Sequence, residues 1–313
     1  MAEETIESQL GAARGRFFGY GYSQVRHTYS VQQLDKNGAV YTASVVYPMD
    51  WSEKNGAVQA PHLASVDAMA LAVSIAEDYL GRPEAGGPFD LTYARIRSCE
   101  LVPGTRPVTD LIHMAVRVDV EQSPSADTSW ACTVAIGSFR VRLAVNELCP
   151  TAWADRETVG EVTYFGGGFR SVERGLGVVS TRDGALFEAT GRVSEAVPPL
   201  RLRPGVDLGY NETASMVDAL VFCAQVGQVA IYALDGLERR ETDTLWLRRA
   251  QFVRTDEIDV DDVCRVLVVR TSLLKRNASR WRTADLIGSY GSVEVRFRLA
   301  HALAAEPARV GVA

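Results

Sequence analysis

The chain has 313 residues, with 33 Lys or Arg against 39 Asp or Glu for a formal net charge of −6, and 47% of its residues are hydrophobic. That length suits two domains of ordinary size, and the composition is globular, which excludes collagen, a coiled coil and an intrinsically disordered chain. No basic stripe marks a nucleic-acid partner, and five scattered cysteines form neither a disulfide framework nor a zinc-finger pattern.

The first ten residues carry three glutamates where a secretory leader needs positive charge, so a cytoplasmic location is expected. No membrane span is expected either: the most apolar stretch, 63–76, is interrupted by Ser65, Asp67 and Ser74. Residues 22–47 alternate apolar and polar side chains around the turn Asp35-Lys36-Asn37, which predicts a strand pair. After Pro61, the helical spacing of Leu63, Val66, Ala70 and Val73 predicts a helix that stops before Gly81. Three strands follow, near 92–101, 111–121 and 130–146, and residues 148–162 form a connection.

The same order of elements then returns. A strand pair is expected over 169–193, and then a helix from about Ser215 to Leu234, apolar on nearly every face and therefore buried. Three strands close the chain, near 244–254, 263–273 and 283–300. The last alternates Val293, Val295, Phe297 and Leu299 with Glu294, Arg296 and Arg298, one face for a core and one for water.

Individual residues recur as well. Phe17-Phe18-Gly19-Tyr20-Gly21 returns as Tyr164-Phe165-Gly166-Gly167-Gly168, and Val66-Asp67-Ala68-Met69 as Val217-Asp218-Ala219-Leu220. Trp130 superimposes on Trp281, and Ile136-Gly137-Ser138-Phe139 on Ile287-Gly288-Ser289-Tyr290. The offset drifts only between 146 and 151, so the chain reads as an internal duplication. Strand pair, buried helix, then long antiparallel strands is the order of a hotdog fold. The expected class is α+β: a tandem double hotdog, each half an antiparallel sheet around one long central helix, with domains at 1–155 and 156–313.

In such a fold the unpaired amides at the start of the central helix can polarise a thioester carbonyl. Near those starts stand Asp67 and Asp218, at equivalent positions in apolar surroundings. Each is a candidate acid/base or a first-turn charge that complements the helix dipole. His62, five residues before Asp67, is a candidate general base or a capping residue. Ser65, Asn211 and Ser215 are placed to bind substrate. Ser74 and Gln225, each seven residues after its aspartate, read either as a cavity-lining stripe or as core hydrogen bonding. His27, His113 and His301 fall on strands without a partner at ligand spacing, so no metal site is expected. The glycine clusters lack a dinucleotide fingerprint and read as turns permitting close backbone approach. Arg239-Arg240 and Arg248-Arg249 could hold the phosphates of a coenzyme A or carrier-protein arm, or simply mark exposed strand ends.

The opening Gly11-Ala12-Ala13-Arg14-Gly15-Arg16-Phe17-Phe18-Gly19-Tyr20-Gly21-Tyr22, together with length and duplicated layout, resembles the avirulence protein D (AvrD) family over nearly the whole chain. That family is associated with making syringolides, acyl glycoside signals assembled from a β-ketoacyl thioester and a pentulose. The resemblance implies a biosynthetic enzyme that transfers a β-ketoacyl group to, or condenses it with, a sugar-like hydroxyl. No cofactor is expected, since the acyl group arrives as a thioester of coenzyme A or of an acyl carrier protein, which would then be a partner. A monomer or a homodimer fits equally. Two alternatives stand beside it: a non-catalytic double hotdog that binds an acyl ligand, and a hydratase or dehydratase on 3-hydroxyacyl thioesters. Against the dehydratase, its His-x-x-x-Gly motif is missing here.

Overall fold

The computed structural model describes residues 5–54, 56–83, 91, 94–122, 130–147, 162–194, 202–203, 205–207, 214–242, 244–255, 262–276 and 279–303. Two short helices, α1 (Ile6–Leu10) and α2 (Tyr22–Gln24), precede the hairpin β1 (Arg26–Asp35) and β2 (Gly38–Val46). A minor hairpin, β3 (Glu53–Lys54) and β4 (Ala57–Val58), leads to the long helix α3 (Ser65–Leu80). The first half ends with β5 (Ala94–Val102), β6 (Met114–Gln122), β7 (Trp130–Ile136) and β8 (Phe139–Glu147). The plan then repeats as β9 (Glu173–Arg182), β10 (Leu186–Ser194), α4 (Met216–Asp235), β11 (Trp246–Arg254), β12 (Val263–Arg276), β13 (Ser279–Tyr290) and β14 (Val293–Leu303).

Twelve strands form one sheet in the order β1-β2-β6-β7-β8-β5-β11-β14-β13-β12-β10-β9. Read inward from either edge, the two halves have the same strand order, so the duplication inferred from residue matches extends to topology. The halves join where β5 runs antiparallel to β11, from Leu101 opposite Ala250 to Ser98 opposite Val253. The α+β class follows from this sheet and its two long helices. Both helices are shielded from water: in α3 every residue except Asp78 is buried. In α4 the only residues from Met216 to Tyr232 that escape burial are Ala224 and Gln228.

Three expectations need correction. Each half ends in four strands, because the segments expected as single strands near 130–146 and 283–300 are hairpins. Their turns hold Gly137 at φ +55° and Gly291 at φ +53°, backbone that favours glycine. The equivalent turns are thus Ile136-Gly137-Ser138-Phe139 and Tyr290-Gly291-Ser292-Val293, three residues beyond the match at Ile287. β13 has 12 residues where β7 has 7, and Gly288 lies inside it. Finally, among the described residues α4, not 63–76, is the helix long and apolar enough to cross a membrane by length and composition; here it packs against β10, β12, β13 and β14. The boundary at 155/156 falls outside the described residues, as does the connection expected over 148–162 except for Val162.

Candidate active site

The helix starts differ in a way their sequences only partly announce. At α4, Ser215 is the N-cap: its hydroxyl accepts from the Asp218 amide at 3.1 Å, and the Asp218 carboxylate accepts from the Ser215 amide at 2.7 Å. This capping box occupies two of the donors that a helix start leaves unpaired. At α3 the N-cap is Ala64, which has no side chain to do the same. The Ala64 amide goes instead to the Tyr47 hydroxyl, so what the α3 start keeps clear of a capping side chain is the Asp67 amide, the counterpart of the one that Ser215 caps in α4.

Asp218 is sealed in place. Arg174 of β9 donates to it through Nε at 2.5 Å, and the guanidinium also reaches the Tyr22 and Tyr164 hydroxyls and the Phe169 and Val172 carbonyls. Burial alone would lower the Arg174 pKa, but the Asp218 charge and the Tyr164 and Tyr22 hydroxyls together outweigh it and hold the guanidinium firmly protonated. Asp67 is sealed in the matching way. His27 of β1 donates to it from Nε2 at 3.0 Å, because Arg170 Nη2 donates to Nδ1 at 2.9 Å and fixes the lone pair there. Tyr47 donates to the other Asp67 oxygen at 2.5 Å and accepts the Ala64 amide. Burial, then the Asp67 charge, pushes the Tyr47 phenol well above its ordinary range, so it remains a donor.

His27 and Arg174 are 147 residues apart, the offset of the strand pairs, so one duplicated position supplies both carboxylate partners. His27 and His301, which have no partner at ligand spacing in the sequence, each meet an aspartate across the fold: His301 Nε2 lies 3.0 Å from Asp235. Both contacts bridge strand to helix, and their residue spacing gives no sign of them.

The chemistry has room elsewhere. A cavity of about 930 Å³ lies between the halves. It is bounded by His62–Ser65 at the α3 start, the β5–β6 loop at Pro103–Pro107, and an α4 stripe of Leu220, Cys223, Ala224, Gln228 and Tyr232. Strands β11, β13 and β14 close it with Trp246, Trp281 and Phe297. Ala224 and Gln228, which escape burial between Met216 and Tyr232, both line this space. Six cations line it, Arg16, Lys54, Arg106, Arg239, Arg248 and Arg298, with no carboxylate among the described lining residues.

Of the expected site residues, His62 and Ser65 line the cavity; Asp67, Ser74, Ser215, Asp218 and Gln225 do not. Asp218 and Asp67 are 1% and 0% exposed, each of their oxygens accepts a hydrogen bond from the protein, and neither side chain lines the cavity. Gln225 accepts from Arg16 at 2.6 Å and donates to the Val221 carbonyl, the core hydrogen bonding that was one of its two readings. Ser74 is buried with its hydroxyl unpartnered, while its carbonyl accepts from Tyr29. Asn211 lies outside the described residues. Arg239 and Arg248 face the cavity, whereas Arg240 and Arg249 pair with Glu238 and Glu100 outside it.

His62 is half-buried between the Trp51 and Trp246 rings, at centroid distances of 5.4 and 5.7 Å. Its Nδ1 lies 3.2 Å from the Ala60 carbonyl. A carbonyl only accepts, so in the neutral ring Nδ1 carries the proton and Nε2 the lone pair, the form a general base needs. Cys223 also lines the cavity, but the hydrogen bond with Cys264 at 3.7 Å, and then burial, push its thiol well above the ordinary range, which makes it a poor nucleophile. Among the described residues no group of three or more His, Cys, Asp or Glu is placed to hold a metal ion.

The family model described as Pseudomonas avirulence D protein (AvrD) matches residues 2–304. No curated protein matches the sequence. Among solved structures, the chain is similar to the acyl-CoA thioesterase II TesB2 from Mycobacterium marinum, at 8% identity and a TM-score of 0.44, covering 89% of this chain and 97% of that one. The 12:0-ACP thioesterase from Umbellularia californica is similar at 8% identity and a TM-score of 0.40, over 88% and 94%. A conserved protein of unknown function with hot dog fold from Alicyclobacillus acidocaldarius is similar at 8% identity and 0.39, over 88% and 96%.

Proposed function

Since the chain belongs to the Pseudomonas avirulence D protein (AvrD) family, we propose that it is a tandem double-hotdog enzyme that takes a β-ketoacyl thioester and passes its acyl group to a sugar-like hydroxyl. The observation that carries this reading is the cavity at the uncapped start of α3, with His62 on its wall. A thioester carbonyl set against the first α3 amides would have its developing oxyanion met by donors already in place. The acyl chain would lie along the apolar part of the α4 stripe, against Leu220 and Ala224.

His62 Nε2 takes the proton of the acceptor hydroxyl as its oxygen attacks the carbonyl carbon. When the tetrahedral intermediate collapses, the carbon–sulfur bond breaks and the leaving thiolate recovers that proton from His62. Asp67 and Asp218 hold the two helix starts and take no part in proton transfer. Ser65, the first α3 residue and a lining residue, contacts the substrate near its carbonyl.

The test is thiol release from a β-ketoacyl thioester with a pentulose acceptor. His62→Gln preserves the volume between the tryptophan rings while removing the base, and should slow release by ~10²-fold or more. A folded His62→Gln enzyme working at the wild-type rate would remove His62 from the mechanism. No thiol release by the wild type from any β-ketoacyl thioester would leave the alternative of an acyl-ligand binder.

A further inference from the structure

One wall of the cavity holds positive charge that acyl transfer does not use. Arg16 is 4% exposed, lines the cavity, and commits Nη1 to Gln225, while its buried Nε has no partner. Burial, helped by the nearby charge of Arg239, pushes its pKa down to about 10. Burial likewise lowers Arg239, whose Nη2 donates to the Gly15 carbonyl at 3.5 Å. Lys54 is buried on the same side, with its ammonium 5.9 Å from the centroid of the Tyr232 ring. The carboxylate acting on Arg16 is Glu7, which is exposed and gives one oxygen to the Ala13 amide. Two guanidiniums drawn out of water beside each other, one with an idle N–H, cost free energy unless an anion joins them.

We propose that Arg16, Arg239 and Lys54 form a phosphate-binding subsite in the cavity wall. A phosphate dianion answers several cations together, and its oxygens match the planar fork of a guanidinium, as guanidinium–phosphate pairs do elsewhere. The subsite lies within reach of the acyl-transfer site: Phe17, next to Arg16, meets Trp51 at 5.5 Å, and Trp51 meets His62 at 5.4 Å. A phosphate there would belong to a phosphorylated acceptor or to the phosphopantetheine arm of the thioester. The inference extends the reading of the cavity given above, but binding alone decides it.

Isothermal titration of the whole chain with inorganic phosphate, at ionic strength matched with sodium chloride, should give saturable binding. Affinity should fall at least ten-fold in Arg239→Met and in Arg16→Met. Because Arg16→Met strands the Gln225 amide oxygen, the pair Arg16→Met with Gln225→Leu serves as the folded control, checked by circular dichroism. Absence of saturable binding by the wild type, or wild-type affinity in the folded variants, would overturn the subsite. Displacement of phosphate by a pentulose 5-phosphate but not the free pentulose supports the acceptor as its source. Displacement by coenzyme A but not pantetheine supports the thioester arm, and displacement by neither overturns a phosphoryl ligand. Phosphate binding without thiol release would retain the subsite and remove acyl transfer, so the two failures are distinct.

Discussion

At Glu77 the interior of α3 carries a fully buried carboxyl, on which the charge of Arg203 acts more weakly than burial does. Thr163 donates to one oxygen at 2.7 Å and the Val206 amide to the other at 2.8 Å, tying α3 to residues ahead of β9 and between β10 and α4. Burial nevertheless dominates and pushes its pKa up from 4.5 to about 7. The folded protein thus keeps a proton there that the unfolded chain has released, so stability falls as pH rises from about 4.5 to about 7 and stays at the lower level above. The loss is about 3 kcal/mol for that gap. Glu77→Gln should abolish this slope, and urea melts of both proteins at pH 5 and pH 8 would show it; identical losses in the two would count against a protonated Glu77. A residue such as this cannot be picked out in the sequence, because its partners stand 86 and 129 positions away. Asp67 and Asp218 were visible as paired anomalies in apolar runs. Their use was not, since a buried aspartate reads alike whether it serves catalysis or holds a helix, until His27 and Arg174 are seen beside them.

Between elements, the contrast of the two helix starts makes a sharp prediction. Ala64→Ser would give α3 the hydroxyl cap that Ser215 gives α4, stabilising the fold by about 1 kcal/mol. The same hydroxyl would take up an amide meant for the oxyanion, so thiol release should slow. Chemical denaturation and initial rates on one preparation measure both, and a stabilised variant with undiminished rate would separate the α3 start from catalysis. Ser215→Ala should do the reverse, costing about 0.5–2 kcal/mol with little effect on rate. Helix positions and the strand pairs were legible from period and turn residues, because those signals are local. The closing hairpins were not: Gly137-Ser138 and Gly291-Ser292 interrupt their apolar alternation for only two residues.

Across the whole molecule, β5 and β11 merge two sheets into one, and the buried apolar residues of both halves form a single cluster. Arg254 of β11 fastens this junction: its Nη2 donates to buried Asp207 at 3.0 Å, and Asp207 accepts the Ile96 amide of β5. Arg254→Met would strand that carboxylate and cost about 3–5 kcal/mol. The wild type should unfold in one transition, with far- and near-ultraviolet circular dichroism tracing the same denaturant curve; two separated midpoints would mean the halves fold alone. The duplication was readable as an offset, whereas the joining of its copies edge to edge depends on strand pairing that no spacing encodes. Copying a fold also need not copy its use. One ancestral helix tip stays open and the other is closed by its own serine and aspartate, so a polypeptide built twice over should saturate with one equivalent of acyl ligand, not two.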